Sequence, residues 1–239
     1  MLFSFLQGGD LTSILMDLLL SLPLIILALT VHETAHGYVA YKCGDSTAYN
    51  LGRLTLNPAK HLDPIGFLCM LLFGYGWAKP VPINTRNFKN PKRGMALSAA
   101  AGPLSNFLLG LFFAAGYGFL RVWYVYLVFY ANPAAYTLNI VQTVISLFGL
   151  GAVYNFLFMA FNLIPVPPFD GSRIAFVFLP PRAYFAVMRY ERQIMLGLLL
   201  GLFALSRFFA FSPFTWVAYK LTDLISAPVV SLFSNLLLG

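Results

Sequence analysis

The stretch Leu18-Leu-Leu-Ser-Leu-Pro-Leu-Ile-Ile-Leu-Ala-Leu-Thr-Val-His-Glu-Thr-Ala-His-Gly-Tyr-Val-Ala40 decides the fold class. It is long enough to cross the roughly 30 Å hydrocarbon layer as a helix, which needs about 20 apolar residues. It also places His32, Glu33 and His36 at one end of that run. Ionisable groups inside a membrane cost roughly 2.5–3.5 kcal/mol each for charged types on insertion scales, so three within five positions need a shared reason.

The rest of the chain repeats the apolar character. Of 239 residues, 59% are hydrophobic and only 10% charged. Soluble globular domains carry charge on roughly a quarter of their residues, so both a soluble domain and a disordered chain are excluded. Outward from the first stretch (about Leu11 to Tyr41, interrupted early by Asp17 and Pro23) come runs at about Met95–Leu120, Leu138–Leu163 and Ile194–Ala210. A weaker fifth run, Phe214–Leu238, is broken by Lys220, Asp223 and Pro228. Pro64–Gly76 is short enough for a re-entrant segment, and Trp123–Ala131 for an aromatic interfacial one. The expectation is one all-α polytopic membrane domain over residues 1–239. It has about five to six transmembrane helices, core motifs within 20–180 and C-terminal spans in 190–239. No signal peptide, internal repeat or appended soluble domain is read. Cys43 and Cys69 are too few for a disulfide framework.

The net charge of +7 is explained by topology. Lys42, Arg53, Lys60, Lys79, Arg86, Lys89, Lys92 and Arg93 lie between spans one and two. Arg173, Arg182, Arg189 and Arg192 lie between spans three and four. Together these are 12 of the 15 basic residues. Both loops are therefore expected on the cytoplasmic side, with the N-terminus outside. A nucleic-acid reading of the charge loses its basis. The loop after span one also holds β-friendly pieces, Tyr49–Leu56 and Trp77–Asn84, expected to form a small cytoplasmic-side β-hairpin. Trp77-Ala-Lys-Pro-Val-Pro-Ile-Asn84 reads as an edge strand, because proline cannot donate to a ladder. Its alternate residues Trp77, Lys79, Val81 and Ile83 are candidates to hold an extended peptide; the plainer reading is a structural hairpin.

His32 and His36 are four apart, on one helical face, and can offer two imidazoles to one metal. Glu33 follows the first, placed to take a proton from a metal-activated water. A catalytic zinc usually has a third protein ligand. The residue six after His36 is Lys42, which excludes the metzincin pattern. Glu191 lies between arginines that offer it an ion pair. His61, Cys43, Asp45 and Asp63 sit in contexts suited to structural roles, turns or caps, or on another face. Asp170 is the strongest candidate. It ends Asn162-Leu-Ile-Pro-Val-Pro-Pro-Phe-Asp170-Gly171, where three prolines forbid regular helix directly after span three, on the same side of the membrane as the end of span one. Irregular backbone at membrane depth is tolerated only where it is buried in protein or lines a cavity. The plainer alternative is a helix-stop loop in which Asp170 caps the next segment.

His32-Glu-Thr-Ala-His36, Gly102-Pro-Leu-Ser-Asn106 and Asn162 through Gly171, in this order, resemble the motifs of the site-2 protease family of intramembrane zinc metalloproteases. Gly52-Arg-Leu-Thr-Leu-Asn-Pro58 and Lys79-Pro-Val-Pro82 are similar to its short bacterial and archaeal members, which lack a PDZ domain. The resemblance implies that His32, His36 and Asp170 bind Zn2+ and that Glu33 is the catalytic base. It also implies an oxyanion-stabilising Asn162, with Asn106 beside the site. Phe169 stands where the family commonly has leucine. The implied activity is hydrolysis of peptide bonds within or near transmembrane segments of membrane proteins, in regulated intramembrane proteolysis. The implied partners are a transmembrane protein substrate and the bilayer of the cell membrane, with the site toward the cytoplasm. The competing readings are a membrane zinc peptidase of another family, using Glu191, and a metal transporter. Transporters more often show repeated halves and polar residues strung along a path.

Overall fold

The computed structural model describes residues 10–73, 76–131, 133–180 and 213–237, with isolated positions between 183 and 201. Three helices in it are long and apolar enough to cross a membrane. Helix α1 spans Leu11–Lys42. A one-turn α2 (Thr47–Asn50) and a ten-residue α3 (Pro64–Phe73) follow. Helix α4 spans Pro91–Tyr126 and α5 spans Ala135–Asn162. Short α6 (Asp170–Ala175) and long α7 (Pro213–Leu237) complete the described elements. The fourth apolar run, Arg182, Glu191 and Arg192 lie wholly or mostly outside the described residues. Helix α7 matches the weak fifth run. Lys220 and Asp223 are exposed on it, and it is not among the three span-like helices.

Helix α4 is the central post, packing against α1, α5, α6 and α7. Its N-terminus is set by sequence: Asn90 accepts from Arg93 N as cap, and Pro91 begins the helix, where a missing N–H costs nothing. At about 1.5 Å per residue it is ~54 Å long, well beyond the hydrocarbon layer. The excess explains the aromatic piece Trp123–Ala131. That piece is no separate segment. It continues α4 to Tyr126 and ends in a π-helical turn, Leu127–Ala131. Trp123, Tyr126 and Tyr130 stack along it at 5.6 and 5.3 Å. The core between α1, α4, α5 and α7 gathers Leu24, Phe113, Ala114, Ala152, Val153, Phe156 and Ala218.

The loop between α1 and α4 differs from the expected hairpin. Among the described residues it contains no strand and one isolated antiparallel bridge, Leu62 to Ala78. Pro80 and Pro82 strip donors from one edge of 77–84, and on the other edge Lys79 N is spent on the His61 carbonyl and Val81 N on the Glu33 carboxylate, so no ladder extends beyond the bridge. The segment is fixed by side chains instead. Buried Asp45 accepts hydrogen bonds from Thr47, from Asn84 N at 2.7 Å and from Asn87 Nδ2 at 2.8 Å. Burial alone would raise the pKa of Asp45, but these donors outweigh it and hold the carboxyl below its ordinary value. Asp45 thus ties the end of α1 to the end of the extended segment. Asp63 caps α3 through Ile65 N and Gly66 N, as its turn context implied.

Candidate active site

His32 and His36 lie on the last turns of α1, buried against α4. Asp170 begins α6, after the proline-interrupted turn that follows α5. The topology brings these three together. His32 Nε2 and His36 Nε2 are 2.9 Å apart, and each is 3.1 Å from Asp170 Oδ2. This is a three-residue group able to hold a metal, formed by the predicted ligands.

The donor chemistry fits a zinc ion. His36 Nδ1 donates to the Ser98 carbonyl at 2.7 Å, and His32 Nδ1 donates to Asn106 Oδ1 at 3.1 Å. Carbonyl oxygens only accept, so each ring carries a proton on Nδ1 and turns Nε2 toward the carboxylate, where as a metal ligand it would offer a lone pair. Three electron-rich atoms then face one another, an arrangement that calls for a cation. Ligands about 2.0–2.1 Å from a tetrahedral zinc sit roughly 3.3 Å apart, slightly wider than this triangle. Outer hydrogen bonds of this kind fix ring orientation and raise ligand basicity.

Helix α4 supplies this support from one stripe: Ser98, Gly102 and Asn106 are spaced by four, hence on one face. Gly102 is there for close approach. A Cβ at Gly102 would lie 2.4 Å from His36 Nε2 and 2.6 Å from His32 Cε1. Ser98 Oγ also donates to the His36 carbonyl at 3.0 Å, binding the two helices at the same level. Gly102→Ala is expected to weaken zinc binding about ten-fold or more, in the range seen for outer-shell changes at metal sites. Zinc titration of the purified variant tests this; wild-type affinity would show that the two histidines yield easily.

Glu33 is half-buried, and its Oε2 accepts a hydrogen bond from Val81 N at 2.9 Å. The extended segment therefore does reach the candidate base. Within it Trp77 and Lys79 are exposed, Val81 is buried and Ile83 is half-buried. Asn162 is half-buried at the end of α5, where its Nδ2 donates to the Phe158 carbonyl at 3.0 Å. That bond uses one of the two N–H donors of the amide and leaves the second for an oxyanion. Phe169 packs edge-to-face on Phe161 at 4.3 Å, and Phe161 meets Phe214 of α7 at 5.4 Å, so the phenyl ring beside Asp170 braces the site. His61 is structural, as its context implied. It is buried, and its Nε2 donates to the Thr55 carbonyl at 2.8 Å. Sequence reasoning missed Ser98, whose only signal was its place four residues before Gly102. It also missed Arg53 as a brace: its guanidinium donates to the Lys79 carbonyl at 2.8 Å.

A membrane-type helical scaffold with a His-His-Asp cluster and an adjacent glutamate defines a metalloprotease class. The model of peptidase family M50 matches residues 20–204, and the chain belongs to that family, the site-2 proteases, whose members are zinc metalloproteases. YwhC of Bacillus subtilis (strain 168), whose name assigns it an inferred zinc metalloprotease activity, is 42% identical over 157 residues. That alignment covers 66% of this chain and 68% of the relative. No solved structure matches the chain.

Proposed function

We propose that this metalloprotease cleaves membrane proteins within or near their transmembrane segments, as a multi-pass protein of the cell membrane with its site toward the cytoplasm. The observation that carries the reading is the convergence of His32, His36 and Asp170 at the end of the apolar helix α1, with Glu33 beside them. The basic loops support the orientation.

His32, His36 and Asp170 would hold a zinc ion, which when bound would supply Lewis acidity toward a peptide carbonyl and toward water. The protein residues do the rest. Glu33 takes a proton from the attacking water and returns it to the leaving amine. Ser98 and Asn106 keep both imidazoles oriented, and Asn162 is the candidate to donate to the developing oxyanion. Trp77–Asn84 is the candidate surface that holds the substrate extended, since a helix conceals its carbonyls in its own hydrogen bonds. Its prolines make the outer edge poor in donors, so pairing there relies on its carbonyls.

The test is a quenched-fluorescence reporter with one transmembrane segment and a central Asn-Pro pair, reconstituted with the protein in phosphatidylethanolamine and phosphatidylglycerol vesicles. Cleavage is expected inside the apolar segment, as mapped by mass spectrometry. Chelation by 1,10-phenanthroline is expected to abolish it and added Zn2+ to restore it. Cleavage confined to soluble flanks, or undiminished in zinc-stripped protein, rejects the proposal.

A further inference from the structure

The bond between Glu33 and the extended segment is unusually specific. Pro80 and Pro82 have no N–H, so the Val81 amide is the one backbone donor across residues 80–82. That donor meets Glu33 Oε2 at 2.9 Å. We propose that the Val81 amide is a positioning group for Glu33, holding one carboxylate oxygen so that Oε1 is the oxygen free to take and return the proton. The proposal rests on the reading of Glu33 as the base.

The surroundings of Val81 are arranged to hold its amide in place. Two residues earlier, both backbone groups of Lys79 are held: its N–H donates to the His61 carbonyl at 2.8 Å, and its carbonyl accepts from Arg53 at 2.8 Å. Residues i and i+2 of an extended chain present their backbone groups to the same side. Fixing Lys79 therefore aims the Val81 amide. Arg53 and His61 are both buried, so their grip is shielded from water. Three residues beyond Val81, Asp45 holds Asn84 N. The Val81 side chain is buried against Gly37, where a Cβ would lie 3.0 Å from Val81 Cγ1 and 2.6 Å from Leu54 Cδ2. Gly37 is four residues after Glu33, hence on the same face of α1. On the other flank Thr34 Oγ1 donates toward the Thr55 carbonyl at 2.8 Å. The turn of α1 bearing Glu33 is thus held at Thr34 and Gly37 by the same loop that presents the amide.

A hydrogen bond to a charged acceptor is stronger than a neutral one and fixes direction as well. Small displacements of a reacting group are costly, since an error of about 1 Å can cost about a hundred-fold in rate. The bond also withdraws the Val81 N–H from the donors open to a bound peptide. Val81 therefore acts on the base, and any pairing with a bound peptide falls to the opposite edge of the segment, where Pro80 and Pro82 offer carbonyls.

Three variants of the full chain separate these roles, assayed with the same reporter in the same vesicles. Replacing the Val81 amide by an ester removes the donor without adding bulk. Val81→Pro also removes it but sets the ring Cδ against Glu33 Oε2, so it serves as the more disruptive form beside the ester. Val81→Ala keeps the donor and loses only packing. The ester and proline forms are expected to lose about ten- to hundred-fold in kcat, with KM and bound zinc within about two-fold of wild type. Val81→Ala is expected to lose less than either. Wild-type kcat in the ester form, or a loss confined to KM, overturns the proposal and leaves Val81 as a packing or substrate-strand residue. Glu33→Gln distinguishes the two levels. If it stays active, the base assignment itself fails; if it is inactive while the ester form is normal, only the positioning role fails.

Discussion

Glu33→Gln is expected to bind zinc like the wild type and to lose proteolysis by about two to four orders of magnitude, the usual contribution of general acid–base catalysis. Glutamine has nearly the same size, and its amide oxygen can still accept from Val81 N, so the local geometry is retained. The triad that would hold the metal does not include Glu33, which is why zinc content should stay unchanged. What is removed is the capacity to take a proton from water and return it to the leaving amine. Metal analysis together with single-turnover cleavage of the vesicle reporter measures both halves. Proteolysis at the wild-type rate would assign the base elsewhere. Loss of zinc as well would make Glu33 part of the metal's own support.

The parts of the site that were legible in the sequence are those encoded by short helical spacing. His32 and His36 at i and i+4 needed only the helix that the apolar run dictated, and the structure puts their Nε2 atoms 2.9 Å apart. Asp170 was legible because prolines end a helix wherever it lies, and the end of α5 lies beside the histidines of α1. The support from α4 was half legible. Gly102 and Asn106 belong to a recognisable motif, but Ser98 contributes through its backbone carbonyl, and a carbonyl has no residue-type signature. The Glu33–Val81 bond was illegible for the same reason, being a backbone donor 48 positions away. The hairpin expectation read the prolines of Trp77–Asn84 as the mark of an edge strand. Among the described residues extension survives, but the donors on its other edge go to His61 and Glu33, and pairing is reduced to one bridge at Ala78.

The site draws on a very small stock of polar groups. The described residues place two of the three histidines together with one aspartate at the site, and the third histidine, His61, serves the loop that braces it. In a low-dielectric setting unpaired polar groups are costly, so a chain with few of them can keep only those that satisfy one another. Asp45 shows the same economy outside the spans, serving several donors with one buried carboxylate.

Asp170→Ala is expected to abolish stable zinc binding and, with it, proteolysis. Asp170 is the carboxylate of the three-residue cluster, and its Oδ2 stands 3.1 Å from both imidazole nitrogens. Removing it leaves two neutral Nε2 atoms, whose lone pairs face each other with neither a third ligand nor a compensating charge. Outer-shell substitutions at metal sites already cost about 10–100-fold in affinity, so loss of a direct ligand should exceed about 100-fold. The oriented rings remain, because Ser98 and Asn106 hold them independently of Asp170; residual weak binding is therefore expected at high zinc. Glu191→Ala is the matched comparison. If Asp170 is the third ligand, the Glu191 variant keeps its zinc through dialysis and the Asp170 variant loses it. The reverse result would assign the third ligand to Glu191 and return Asp170 to the role of a helix cap at the start of α6.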